Sequence, residues 1–282
     1  MVLAAAFFHA GWNYLAKKSR KKLVFIWWFL LVAMALYLPM FSYFFPGSPI
    51  PPRGWACIAT TGVLHFLYFW FLGGAYERGD LSLVYPISRG SGPLFVPFLA
   101  VVFLQEQLSV LGGTGIALIV AGIYMTHLKS FSPRSFAEPF LCLSEGGTVW
   151  ALCTGGTIAL YSLVDKAGVQ FVSPPVYIYL MVVITWLLLT PVVLSTNRGN
   201  ILLEWQENRG TILIVGLLVL GTYLTILFAL QVAKVSYVVA VREVSIVFSV
   251  LYGILRLGEK HGMQKILGAT LIATGVVCIG LT

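Results

Sequence analysis

The sequence predicts an all-α integral membrane protein of ten transmembrane helices, built as two inverted five-helix repeats. Three observations predict it. Of the 282 residues, 59% are hydrophobic and only 10% charged. An ordinary soluble domain carries about 25% charged residues, so a water-soluble fold would lack the polar material to cover its surface. Uncharged runs such as Leu23–Phe45, Trp55–Tyr76, Phe171–Ser195 and Thr211–Leu230 reach the roughly 20 apolar residues that a spanning helix needs. Finally, the second half of the chain reads as a shifted copy of the first. The long runs are apolar on every face, which excludes a membrane barrel, whose strands alternate apolar and polar residues.

Spans are expected over 1–16, 23–45, 55–76, 81–103, 108–128, 140–164, 171–195, 210–231, 235–256 and 262–281. The first stretch lacks a basic leading region and ends in Lys17-Lys18-Ser19-Arg20-Lys21-Lys22, so it reads as a span and not as a cleavable signal. Pro46-Gly47-Ser48-Pro49 and Pro51-Pro52 mark the second loop. Trp27, Trp28, Trp55 and Trp205 fall near predicted interfaces, as an aromatic belt requires.

The net charge of +8 is a topology signal, not a nucleic-acid one. Arg53, Lys166 and Lys234 lie on the side of the termini. Thirteen basic residues lie on the other: Lys17, Lys18, Arg20, Lys21, Lys22, Arg78, Lys129, Arg134, Arg198, Arg209, Arg256, Lys260 and Lys265. The positive-inside rule makes the second side cytoplasmic and places both termini outside. The expected location is the plasma membrane, a bacterial inner membrane. The expected partners are the lipid bilayer and a small-molecule substrate, with no nucleic acid. A monomer suffices, and homodimerisation stays open.

A shift of 153 residues sets Arg89 on Arg242, Glu106 on Glu259, Gly115 on Gly268 and Gly122 on Gly275. Ala117 and Ala121 land on Thr270 and Thr274. Ahead of the arginines the offset is 154, with Ala75 on Ala229 and Ser82 on Ser236. The halves are 1–128 and 140–282, joined by a loop at 129–139. Five spans per half is an odd number, so the second half enters the membrane from the opposite side. Inverted repeats of this kind recur in secondary transporters, because two similar halves can exchange conformations and open the protein alternately to each side.

Gly79-Asp80-Leu81-Ser82-Leu83-Val84-Tyr85-Pro86-Ile87-Ser88-Arg89-Gly90, then Glu106, then Gly115 through Gly122, is an order that resembles the EamA-type branch of the drug/metabolite transporter superfamily. Gly258-Glu259 and Gly268 through Gly275 repeat it. His9-Ala10-Gly11-Trp12-Asn13 is similar to a subgroup associated with phosphonate use. The resemblance covers nearly the whole chain. It implies ten helices in two inverted halves with a substrate cavity between them. Members usually have cytoplasmic termini, whereas the charge count here places the termini outside.

Arg89 and Arg242 are the sharpest chemical signals. A charge near the bilayer centre costs at least about 3 kcal/mol, so two at equivalent repeat positions need a reason. One reading is a pair of cationic donors for a carboxylate or phosphonate; the other is an internal ion pair, such as Arg89 with Glu243. Glu243 itself reads either as a proton-coupling carboxylate or as a permanent partner of an arginine. His9, Trp12 and Asn13 share a helix face by their spacing, and His65 and Tyr68 form a similar pair. Each set reads as substrate contacts or as interior packing. Pro86, Pro93 and Pro97 are expected to break helical regularity in the fourth span. Glu106 and Glu259 read as helix-end contacts.

Cys57, Cys142, Cys153 and Cys278 are scattered and read as small apolar residues. No metal site and no cofactor are expected. A nucleotide-binding glycine loop, His-Glu-x-x-His and Gly-x-Ser-x-Gly are all absent from the sequence, so no catalytic signature is present. The function expected is a secondary transporter of a small anionic or zwitterionic metabolite. The alternative is a membrane-embedded enzyme acting on a lipid or isoprenoid, for which the loops are short and poor in polar residues.

Overall fold

The computed structural model describes residues 2–3, 21–78, 81–126, 128, 130–132, 135–136, 146–248, 250–251 and 263–282. These form nine α-helices of eight residues or more: α1 (Lys22–Phe44), α2 (Pro52–Arg78), α3 (Leu81–Leu104), α4 (Val110–Thr126), α5 (Gly146–Gly168), α6 (Pro174–Thr196), α7 (Ile201–Val232), α8 (Val235–Arg242) and α9 (Met263–Gly280). No strand occurs among the described residues. Backbone groups in lipid must be satisfied within the segment, which leaves helices as the way for such apolar runs to cross. Seven of the described helices are long and apolar enough to do so, and α4 is a shorter apolar helix. Of the ten spans expected, the first (1–16) lies almost wholly outside the described residues.

The breaks fall elsewhere than the prolines suggest. α3 runs without interruption through Pro86, Pro93 and Pro97. The ninth span, expected to be continuous over 235–256, stops at Arg242 instead. Residues 243–244 form a turn, and helix resumes at 245–248. The N–H of Glu243 is shared between the carbonyls of Ala240 and Val241, with φ −73° and ψ −3°. The ladder tightens there and a carboxylate stands at the break.

The chain divides into two compact units. Met1–Trp70 with Val164–Val232 forms the first, and Phe71–Leu163 with Ala233–Thr282 the second. Each unit draws helices from both halves of the sequence repeat, so the repeat and the packing unit are different partitions of the chain.

In the first unit, Phe25, Phe29 and Leu30 of α1, Ile58 of α2, Tyr177, Ile178 and Leu189 of α6, and Ile212 and Leu220 of α7 are fully buried. The Trp27 ring stacks on Trp186 at 5.5 Å, and its Nε1 donates to Thr190 Oγ1 at 2.9 Å. Trp28 lies 4.6 Å from the Trp205 ring and donates to the carbonyl of Ile201 at 2.9 Å. Each indole offers an apolar body with a satisfied N–H, the property that places tryptophan at membrane interfaces.

In the second unit, α4 and α9 pack closely around a core of Ile116, Ile119, Ile123, Ala240, Ile246, Ile272 and Ile279. Glycines set their distance. A Cβ on Gly115 would lie 2.7 Å from the carbonyl oxygen of Gly275, and one on Gly275 would lie 2.5 Å from that of Gly115. Gly122 and Gly268 meet each other in the same way, at 2.6 Å in both directions. Pairing 115 with 275 and 122 with 268 makes the helices antiparallel. The repeat offset sets 115 on 268 and 122 on 275, so exchanging the halves turns one contact into the other. The two helices are related by a local two-fold axis, and small residues let their backbones touch.

Candidate functional site

Two buried ionisable clusters stand out, one in each unit. The cluster of the second unit centres on Glu243, whose carboxylate is wholly buried at the break after α8. Arg89 Nε of α3 lies 3.9 Å from one carboxylate oxygen, and Arg242 Nε lies 3.4 Å from the other. Both guanidiniums are buried. Arg242 ends α8, where the helix dipole favours a cation. The two arginines, equivalent in the repeat, therefore share one carboxylate, and the internal ion pair of Arg89 with Glu243 is formed. Small residues let α3 approach α5: a Cβ on Gly155 would lie 2.6 Å from Ser91 Cβ.

The cluster of the first unit centres on Asp165 of α5, also wholly buried. Its Oδ1 accepts from Thr61 Oγ1 of α2 at 2.6 Å and from the Tyr177 hydroxyl of α6 at 2.8 Å. Its Oδ2 accepts from the Tyr223 hydroxyl of α7. Four helices are thus tied to one carboxylate. His65, one turn beyond Thr61, places Nδ1 at 2.9 Å from the Thr61 carbonyl and 3.1 Å from Thr61 Oγ1. A carbonyl can only accept, so Nδ1 carries the hydrogen. The His65 ring meets the Tyr223 ring edge-on at 5.3 Å.

Asp165 was not among the residues expected to matter, because the sixth span was expected to end at 164. In the structure α5 continues to Gly168 and holds the carboxylate inside. The signal was available: Leu163, Val164 and Ala167 surround it in sequence and give a helix no reason to stop before it.

Of the other expected contacts, His65 enters the Asp165 cluster. Tyr68 is half-buried, with its ring 5.0 Å from that of Phe69. His65 and Tyr68 belong to the first unit, Arg89 and Arg242 to the second. His9, Trp12 and Asn13 lie outside the described residues, as does Glu259. Glu106 is a helix-end contact. Its Oε1 accepts from the Val235 N–H at 2.7 Å, and its Oε2 from the Ser236 N–H at 3.3 Å and the Ser236 hydroxyl at 2.7 Å. That satisfies orphan donors at the start of α8 and places negative charge at the positive end of its dipole. Among the described residues no group of three metal-ligating side chains occurs.

Apolar helices long enough to span a bilayer, an antiparallel repeat and ionisable clusters held inside the helices together define a multi-pass membrane protein with the build of a solute transporter. The chain belongs to the EamA-like transporter family, whose profile matches residues 1–128 and 146–281. A Sinorhizobium protein described as an uncharacterized transporter in the cobO 3'region is 23% identical over 146 residues. That alignment covers 49% of this chain and 99% of the relative. A solved crystal structure matches 99% of this chain and 96% of its own, with a TM-score of 0.77 at 13% identity, and thus shares the fold.

Proposed function

We propose that this membrane transporter is a secondary transporter, which carries a small anionic or zwitterionic organic solute across the plasma membrane by alternating access. Arg89 and Arg242 bind the anionic group of the solute. The observation that carries this reading is the convergence of two repeat-equivalent buried arginines on the single carboxylate of Glu243. A guanidinium presents a planar fork that matches carboxylate or phosphonate oxygens in two-point contacts. In the absence of solute Glu243 occupies that fork, and its one negative charge lies between the two positive ones in a low-dielectric interior. An incoming anion replaces Glu243 at one or both arginines. Glu243 stands at a break in the helix, so its displacement bears on the backbone there. That links solute binding to a change in helix arrangement.

The test is solute uptake into proteoliposomes holding only this protein, screened over organic carboxylates, amino acids and phosphonates, with and without a proton gradient. A charge-assisted contact is worth about 1.5–3 kcal/mol. Arg89→Gln and Arg242→Gln should therefore each weaken solute affinity by roughly tenfold to a hundredfold. Arg→Lys should restore it only in part, because a point charge replaces a fork. Well-folded Gln variants of both arginines with unaltered affinity would overturn the reading.

A further inference from the structure

The Asp165 cluster is held by hydroxyl donors and the Glu243 cluster by guanidiniums. We propose that Asp165 is a proton-binding site, loaded through His65 and Thr61, and that its protonation releases the tie between the four helices it joins. Its use in transport rests on the transporter reading above; the proton site itself does not.

The geometry supplies a continuous wire. His65 Nδ1–H faces Thr61 Oγ1 at 3.1 Å, and Thr61 Oγ1 donates to Asp165 Oδ1 at 2.6 Å. A proton arriving at His65 Nε2 allows the Nδ1 proton to pass to Thr61 Oγ1 as the Thr61 hydroxyl proton passes to Asp165. The products are a neutral imidazole protonated at Nε2, an intact threonine hydroxyl and a neutral carboxylic acid. Every proton is accounted for, and no charged intermediate remains on Thr61. Histidine is the side chain suited to exchanging protons near neutral pH.

Among the described residues, few titratable groups turn toward the carboxylate. Cys57 and His65 come from α2, Tyr177 from α6 and Tyr223 from α7. Lys166, the next residue of α5, sends its Nζ to the Leu230 carbonyl at 2.6 Å. Thr61, Tyr177 and Tyr223 each aim a hydrogen at Asp165. A hard metal cation would instead need oxygen lone pairs directed inward, so this arrangement does not suit one. Three hydrogen bonds to a charged carboxylate become weaker bonds to a neutral acid when the proton arrives. The links from α5 to α2, α6 and α7 weaken together.

Infrared difference spectroscopy of the purified full-length protein reads the proton with no solute present. Lowering the pH should produce the carbonyl stretch of a protonated carboxylic acid. Asp80 and Asp165 are the two aspartates of the chain, so carboxyl-¹³C aspartate labelling of the unmutated protein should shift that band. In an Asp80→Asn background, Asp165→Asn should abolish the label-shifted component. Absence of any label-shifted component at every pH at which the protein stays folded overturns the proposal, as does persistence of the whole of that component in Asp165→Asn.

After a pH drop, His65→Gln should form the same band about a hundredfold more slowly, the usual worth of a positioned proton donor; an unchanged rate removes His65 from the route. Hydrogen exchange over α6, corrected for its intrinsic pH dependence, should quicken about tenfold in the acid form, the equivalent of one lost charged hydrogen bond. Unchanged exchange overturns the release step. An acid band in a protein that moves no solute leaves the proton site standing and removes the transporter reading. Solute uptake without the band does the reverse.

Discussion

The two units each bury a carboxylate completely, and they balance it in opposite ways. Glu243 is flanked by two guanidiniums, whereas Asp165 takes its hydrogen bonds from three hydroxyls. The first is an electrostatic arrangement: removing Glu243 takes away the negative charge that lies between two guanidiniums. The second is a hydrogen-bonding balance: adding one proton to the carboxylate weakens it and strands nothing. On the readings proposed above, an anion that takes Glu243's place opens the guanidinium cluster, and a proton opens the hydroxyl cluster. The same buried residue type acquires two sensitivities from its neighbours.

That contrast predicts unequal costs. Glu243→Gln leaves Arg89 and Arg242 facing each other and should destabilise the protein by about 3–5 kcal/mol. The measurement is the yield of folded protein together with unfolding in detergent. Adding Arg89→Gln to Glu243→Gln should recover more than half of the loss, since it removes the repulsion between two guanidiniums with no carboxylate between them. Tyr177→Phe, in a fully buried position, removes one hydroxyl of three and should cost about 1.5–3 kcal/mol. Equal losses from Glu243→Gln and Tyr177→Phe would erase the distinction between the clusters.

A smaller effect tests the symmetry that places Arg89 and Arg242 in equivalent positions. Alanine at Gly115, Gly122, Gly268 or Gly275 brings a Cβ to 2.5–2.7 Å from a carbonyl oxygen of the partner helix. Backbone cannot rotate away as a side chain can, so α4 and α9 must separate. Each substitution should cost about 1–3 kcal/mol, the range for overpacking. If the two-fold relation holds, the four costs should be nearly equal. Gly113 lies in α4 with open space where its Cβ would be. Gly113→Ala should stabilise by about 0.5–1 kcal/mol, as an unobstructed alanine does in a helix. A Gly113→Ala variant as damaged as the other four would show that α4 resists alanine for another reason.

Long apolar runs made the helices legible, and the glycine and arginine repeats made the inverted relation legible, because both are local or periodic properties of the sequence. The Arg89–Glu243 pair was one of two readings that the residues allowed. The break at 243–244, where the carboxylate meets both arginines, is announced by no glycine or proline. The Asp165 cluster was not legible. Its donors come from Thr61, Tyr177 and Tyr223, on three helices distant in sequence, and hydroxyl residues in apolar runs carry no periodic signal. The prolines of α3 misled for a related reason. A proline removes one donor, but in lipid the surrounding ladder has no water to turn to, and the helix continues.

The smallest effect lies at the turn that delivers Glu106 to α8. Gln105 follows the end of α3 with φ 54°, the one positive φ of a non-glycine residue among those described. That left-handed conformation costs a side-chain-bearing residue about 1–2 kcal/mol. The reversal sends the Glu106 N–H back to the Ala100 carbonyl at 3.2 Å and turns its carboxylate onto the start of α8. Strain at one residue thus holds a cap on another helix of the same unit. Gln105→Gly keeps the turn and removes the strain, while glycine's greater freedom in the unfolded chain offsets part of the gain. The expected result is a stabilisation of about 0.5–1 kcal/mol, seen as a rise of about 1–3 °C in the unfolding midpoint. In a Glu106→Gln background the gain from Gln105→Gly should be the same, because the strain belongs to the backbone. If the gain vanished there, the left-handed turn would be a consequence of the cap and not its scaffold.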